Sequence, residues 1–417
     1  MNTYPTDGRP AGAAQAHAGA GVDPAAFDGP AGASGPIDPN ALNAAPSNSA
    51  DGADGADSLD GLHDFIGAFG GTEWPSVSVV MPVLNEERHL ADAVHRILEQ
   101  DYPGPIEVVL AIGPCKDRTD AVAAQLVAED PRIRTVPNPT GRTPSALNAA
   151  IAASGNEIVV RVDGHGLLTP GYIRTAVQLL AQTGAGNVGG VMHAEGQTDF
   201  ERAVAVAMTS KLGVGNAKFH TGGQAGPAET VYLGVFPRAV LDKLGGYNES
   251  FVRAQDWELN HRLRQDGGLV YFSPRLQVTY RPRPNLRALA TQYLHYGRWR
   301  RVVMRTHAGT ASARYLAPPL AVLAVALGLL CGLVGLGCVA AGAGGALSLL
   351  LLGWIVPVGY AAAITLGALY ESRGTETAVR LRLPLVLATM HFCWGWGFLS
   401  SPKALFESTR APAAAAR

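Results

Sequence analysis

The chain has 417 residues and a net charge of −1, with 33 Lys and Arg against 34 Asp and Glu. That length supports a sizeable core and two structural units, and the even charge balance excludes a nucleic-acid partner held by global electrostatics. Of its four cysteines, Cys331, Cys338 and Cys393 lie in apolar runs and Cys115 stands alone in a loop, so they form no disulfide framework and read as reduced thiols facing the cytosol.

Residues 1–72 are Ala, Gly, Pro, Asp and Ser with few large apolar side chains, and carry a single Arg, Arg9, and no Lys. Such a segment cannot offset its ordering entropy and is expected to be disordered. It lacks a basic start followed by an apolar core and does not read as a signal peptide. Between residues 73 and 280 strand and helix patterns alternate with short connections. A β-rich run from Ser76 ends at Pro82 and passes through Asn85-Glu86-Glu87 to a helix with Leu90, Val94, Ile97 and Leu98 at helical spacing. A strand over 106–112, a helix through Leu126, a short strand over 133–136 and a helix around 146–151 follow, the pattern of a doubly wound, mostly parallel sheet. Strands over 188–194 and 230–236 flank a helix over 200–212, and the Gly-rich stretch 213–226 reads as a mobile loop. From Trp257 the spacing is helical, which places Asp256 near a helix N-terminus, where the dipole favours an ionised carboxylate.

Residues 157–166 read Glu-Ile-Val-Val-Arg-Val-Asp-Gly-His-Gly: a strand buried on both faces, ending in an Asp and a His two residues apart. Ligands of open α/β sheets bind outside the carboxyl ends of the strands. Asp163 and His165 there either face a divalent cation, Mg²⁺ or Mn²⁺, or form an ordinary Asp-Gly turn.

Residues 315–370 contain no Asp, Glu, Lys or Arg, which is room for two membrane spans of about 20 residues each, with the turn near Ala340 to Gly345. A third apolar stretch, 383–399, is at the short limit for a span. Eight arginines between Arg281 and Arg314 precede the first span, and Arg373, Arg380 and Arg382 lie between the second and third. Both loops are therefore expected in the cytoplasm. If the third stretch spans, the tail 401–417 is outside.

The motifs at 79–87, Leu147-Asn148, Val162-Asp163-Gly164-His165 and Gln255-Asp256-Trp257-Glu258-Leu259 stand in an order that resembles the family 2 inverting glycosyltransferases of the GT-A fold. The segments 188–192, 232–236 and 292–298 and the Asp-x-His are similar to the succinoglycan-biosynthesis type. The resemblance implies that Pro82, Asn85 and Glu86 line the nucleotide pocket, that Asp163 with His165 holds the metal, and that Asp256 is the general base. Arg142 stands where a basic residue approaches the diphosphate, or is an exposed loop Arg. Asn148 contacts the nucleotide or bonds its helix to the sheet. Trp257 and Glu258 shape the acceptor site, or pack and cap. Family members carry an acidic base-reading loop after the second strand; here only Asp117 survives of it, which leaves the nucleotide base open. Gln292, Arg298 and Trp299 loosely echo the acceptor-site Gln-x-x-Arg-Trp of processive synthases at a longer spacing, which favours transfer of one sugar.

The expectation is a multi-pass membrane enzyme with its GT-A domain (73–280) in the cytoplasm. A basic interfacial segment (281–314) and two or three transmembrane helices (315–400) follow. It would use a nucleoside-diphosphate sugar, a divalent metal and a lipid-linked saccharide acceptor in envelope or exopolysaccharide assembly. Two alternatives stand beside it: a polyprenyl-phosphate glycosyltransferase, and a non-catalytic membrane scaffold that retains the fold. A transporter is disfavoured by spans that carry no charge.

Overall fold

Val77, Val79 and Met81 cover one face of the first strand, β1 (Val77–Val83), and Val80 the other, and all are buried between layers of helix. The computed structural model describes residues 74–343 and 345–410, so the expectation for 1–72 and the end of the tail fall outside the described residues. Strands β2 (Ile106–Ile112), β3 (Ile133–Pro137) and β4 (Ile158–Arg161) join β1 in a parallel run, β2 and β4 beside β1 and β3 beside β2. Their crossovers hold α1 (Leu90–Leu98), α2 (Thr119–Glu129) and α3 (Thr143–Ala153). Helix α1 buries Leu90, Ala93, Val94 and Ile97, one face of a 3.6-residue period.

The rest of the domain is mixed. It comprises β5 (Leu167–Leu168), α4 (Tyr172–Thr183), β6 (Asn187–Ala194), α5 (Asp199–Thr209), β7 (Gly226–Pro227), β8 (Tyr232–Pro237), α6 (Arg238–Leu244), α7 (Gln255–Gln265) and β9 (Val270–Tyr280). The sheet has nine strands in the order β3-β2-β1-β4-β8-β6-β9-β5, with β7 paired to β9. Strand β8 is antiparallel to both β4 and β6, while β6 and β9 are parallel. This is a GT-A-like mixed α/β sheet, parallel over the four strands that carry the first motifs. The stretch expected as a mobile loop holds helical turns at Lys211–Val214 and Lys218–Thr221, the first capped by Ser210 Oγ, which accepts from Gly213 N at 3.0 Å.

Helix α8 (Leu286–Thr306) is opened by Asn285, whose side chain accepts from Ala288 N at 2.9 Å. Then come α9 (Ala313–Ala340), a 3₁₀ segment (Gly345–Trp354) continuous with α10 (Ile355–Glu371), and α11 (Thr377–Leu399). Ala313–Ala340 and Gly345–Glu371, 28 and 27 residues, are long and apolar enough to cross a membrane, and their leucines are largely exposed. They pack through Gly328, Gly332 and Gly335 of α9, where a Cβ would meet the opposing backbone and Trp354.

Helix α11, the third apolar stretch, behaves differently. It buries Val379, Leu383, Val386, Leu387, Met390 and Phe398. Gly297 of α8 and Gly397 of α11 let the two backbones touch, since a Cβ on either would collide with the other helix. One end of α11 is bonded to the α/β domain and the other to α8: Arg202 Nη2 donates to Glu376 Oε2 at 3.1 Å, and Arg305 Nη2 to Ser401 O at 3.0 Å. The tail then forms α12 (Ala404–Arg410), where Thr409 Oγ1 donates to Ser250 O at 2.8 Å and Phe406 packs on Phe251. The chain after Ser401 thus returns to the glycosyltransferase-like domain.

Candidate active site

Strands β1 and β4 end side by side, with Val80 opposite Arg161, so the loops that follow them share one edge of the sheet. Gly164 permits this closeness, because a Cβ there would stand 2.9 Å from Glu86 Cγ. Across the gap Glu86 Oε1 lies 2.7 Å from His165 Nδ1. Burial opposes charge on His165, but the Glu86 hydrogen bond and the Asp163 carboxylate outweigh it and raise its pKa.

The centre of the site is Arg161, only 4 % exposed. Its Nη2 and Nε donate to Asp163 Oδ1 at 2.9 and 3.2 Å, and its Nη1 donates to Asp256 Oδ1. One guanidinium thus joins the two carboxylates expected to act in chemistry, which come from positions far apart in the chain. Burial alone would raise the Asp163 pKa, but Arg161, then His165, hold it below the usual carboxylate value. Asp256 sits in the first turn of α7, behind Ala254, whose φ of 61° is left-handed and unusual for a residue with a Cβ. Sequence reasoning misses Arg161 as a site residue, although a charged side chain inside an aliphatic strand is the available signal.

Among the described residues no group of three His, Cys, Asp or Glu side chains converges on a metal position. Asp163 keeps Oδ2 clear of Arg161, and His165 has its Nδ1 fixed by a carboxylate, which is how metal-binding imidazoles are oriented. Two protein donors suit Mg²⁺ or Mn²⁺ whose remaining ligands are phosphate oxygens and water.

The other expected residues divide. Pro82 lies half-buried in β1. Asn85 takes a left-handed φ of 58°, and its Oδ1 accepts from Lys116 N at 2.7 Å, tying the β1 loop to the β2 loop. Asp117 accepts from Thr119 N at 3.1 Å and Glu87 N at 3.3 Å, and lines a small cavity with Asn85 and His89. Arg142 Nη1 donates to Thr409 O at 2.9 Å, so it meets the tail.

The amide of Asn148 donates to Tyr247 O at 2.8 Å and accepts from Tyr247 N at 2.8 Å, tying α3 to the turn before α7. Glu258 is 1 % exposed and bonded to Arg262 Nε and Nη2 at 2.8 and 2.9 Å. Trp257 and Trp299 are likewise buried, the first stacked on His261 at 5.0 Å and the second packed with Phe251. Arg298 is half-buried, and Gln292 lines a cavity.

The profile described as glycosyl transferase family 2 matches residues 78–245. The succinoglycan biosynthesis protein ExoA of Rhizobium meliloti is 31 % identical over 325 residues, 77 % of this chain and 93 % of its own length. The chain belongs to glycosyltransferase family 2. It is thus a glycosyltransferase related to exopolysaccharide biosynthesis proteins. A more distant family relative is the dolichyl N-acetyl-alpha-D-glucosaminyl phosphate 3-beta-D-2,3-diacetamido-2,3-dideoxy-beta-D-glucuronosyltransferase of Methanococcus voltae, 20 % identical over 55 % of this chain and 74 % of that one. Among solved structures, a mannosyltransferase of Pyrobaculum calidifontis in complex with GDP-Man and Mn²⁺ aligns with a TM-score of 0.48 and 21 % identity, covering 78 % of this chain and 88 % of that one. In this family 2 enzyme the matched segment ends before Asp256, so the geometry at Arg161 is what links that carboxylate to the family core.

Proposed function

We propose that the chain transfers one sugar from a nucleoside-diphosphate sugar to a lipid-linked saccharide, with inversion at the anomeric carbon, in exopolysaccharide or envelope assembly. The observation that carries this reading is the Arg161 bridge, which fixes Asp163 and Asp256 in one site at the carboxyl edge of the sheet. Asp256 is the base: its carboxylate takes the proton of the acceptor hydroxyl as that oxygen attacks the anomeric carbon. The C–O bond to the diphosphate breaks on the opposite side, and its electron pair leaves with the nucleoside diphosphate. Asp163 and His165 would hold a divalent cation, which when bound supplies positive charge against the diphosphate. Glu86 orients His165, and Arg161 keeps Asp163 ionised while holding Asp256 at its other side.

The names of two relatives support the acceptor class, one by succinoglycan biosynthesis and the other by a dolichyl phosphate-linked sugar. The two long apolar helices and the arginines before them support a membrane enzyme with its catalytic domain in the cytoplasm. The test is transfer from a panel of radiolabelled sugar nucleotides into lipid extracts. Asp256→Asn should lower turnover roughly 10²–10⁴-fold while sugar-nucleotide affinity holds, since the amide is nearly isosteric. Chelator should stop transfer and Mg²⁺ or Mn²⁺ restore it. Wild-type turnover in the Asp256→Asn protein would refute the assignment of the base, and full activity in excess chelator would refute the metal.

A further inference from the structure

Beside the Arg161 bridge lies a cavity of about 420 Å³ lined by Arg253, Arg283, Asn285, Arg287, Gln292 and His295, among others, and no carboxylate lines it. The guanidinium groups of Arg253, Arg283 and Arg287 have no hydrogen bond or ion pair among the described residues. Three uncompensated cations around one space repel each other, and an anion in that space relieves the repulsion. The field is felt nearby: burial, then Arg253 and Arg298, lowers the pKa of His295.

Gln292 supplies the second observation. It is 8 % exposed and lines the same cavity. Its Nε2 donates to Tyr280 Oη at 3.0 Å and Tyr296 Oη at 2.9 Å, while Oε1 has no partner. A buried carbonyl oxygen left unpaired is destabilising unless a ligand supplies a donor. The cavity therefore calls for an anion with a hydroxyl or amide next to it. It also adjoins the chemistry, because Arg253 precedes Asp256 by three residues and acts on Asp163, and Arg283 acts on His165.

We propose that this cavity binds the phosphate through which the acceptor saccharide is joined to its lipid, with Gln292 accepting from the adjoining sugar. The assignment rests on the lipid-acceptor reading above and adds the place where that acceptor is held. Docked there, the phosphate would present the saccharide's hydroxyl towards Asp256.

The full chain in detergent is titrated with farnesyl phosphate, a short polyprenyl phosphate, and in separate arms with farnesol, phosphatidylglycerol, UDP-glucose and GDP-mannose. Wild type should bind farnesyl phosphate at least about tenfold more tightly than farnesol. Arg283→Gln and Arg287→Gln should each remove about tenfold of that affinity at an unchanged melting temperature. Unchanged farnesyl phosphate binding in both variants overturns the site. Competition by phosphatidylglycerol at equal concentration makes it a phospholipid head-group site and overturns the acceptor assignment. An equal loss of sugar-nucleotide affinity makes it part of the donor site and does the same. Transfer measured in parallel separates the two claims. Farnesyl phosphate binding lost in the variants, without any wild-type transfer to lipid acceptors, sinks the functional reading and spares the site. Transfer with unaltered binding in the variants sinks only the site.

Discussion

Arg161 carries a full charge at the end of a strand whose other three residues, Ile158, Val159 and Val160, are aliphatic and buried. Such a charge is tolerated only with partners, and Asp163 and Asp256 are those partners. Arg161→Gln should therefore lower stability by about 3 kcal/mol, the low end for a broken buried pair because both carboxylates keep some contact with solvent. The pH dependence has a definite sign. The Asp163 pKa is depressed on folding, so its stabilisation is present above the ordinary carboxylate pKa and is lost as pH falls through the depressed value. With the guanidinium gone the depression shrinks, so that acid-side loss should be smaller than in the wild type, read by thermal melts across pH 3–7 (roughly the carboxylate range). An acid limb identical to wild type would show that the bridge does not set the Asp163 pKa. At this scale the sequence is partly readable. Asp163, His165 and Asp256 stand out by motif, whereas the Arg161 contact joins positions that no local period relates. The burial of Trp257, Glu258 and Trp299 is likewise decided by helices that arrive from elsewhere in the chain.

Elements built on one clear period are legible: β1, β2, α1 and α3 lie within a few residues of their expected ends. The two-residue strands β5 and β7 carry no period of their own and exist only because β9 is there to pair with them. The Gly-rich stretch hides its helical turns in the same way. Asn148 shows how an element is positioned by one side chain. From α3 it bonds both backbone groups of Tyr247, in the turn that leads towards α7 and Asp256, and Gly246 beside it takes a φ of 69°. Asn148→Ala should cost about 1–3 kcal/mol by leaving buried groups unpaired. It should slow turnover by shifting α7, with the sugar-nucleotide dissociation constant unchanged. A selective loss of donor affinity at normal stability would instead assign Asn148 to the nucleotide.

For the whole molecule, the decisive contacts are those that tie α11 and the tail after it to α8 and the transferase domain. Sequence length alone leaves this helix undecided, because its apolar stretch is at the short limit for a span and the tail contact is tertiary. Ala313–Ala340 and Gly345–Glu371 are each long and apolar enough to cross a membrane, and a pair of crossings would return the chain to the side it left. Helix α11 then runs along α8, held at one end through Arg202 and Glu376 and at the other through Arg305 and Ser401. Its outward face carries Leu381, Leu385, Trp396 and Leu399, all exposed, as suits a helix lying in a membrane interface with arginines nearby. Reporter fusions check this arrangement. A reporter after Ser312 and one at the C-terminus should both give the cytoplasmic signal, and one inserted at 341–343 should give the opposite signal. A C-terminal reporter on the far side would mean that α11 crosses. That would remove α12 from Phe251 and Ser250 and free Arg142 from Thr409, so a chain truncated after Pro402 would then melt like the full-length protein. With the tail docked, the same truncation exposes Phe251 beside the helix that carries Asp256, and the melting temperature should fall by several degrees (about 1–2 kcal/mol for an aromatic contact that is partly exposed).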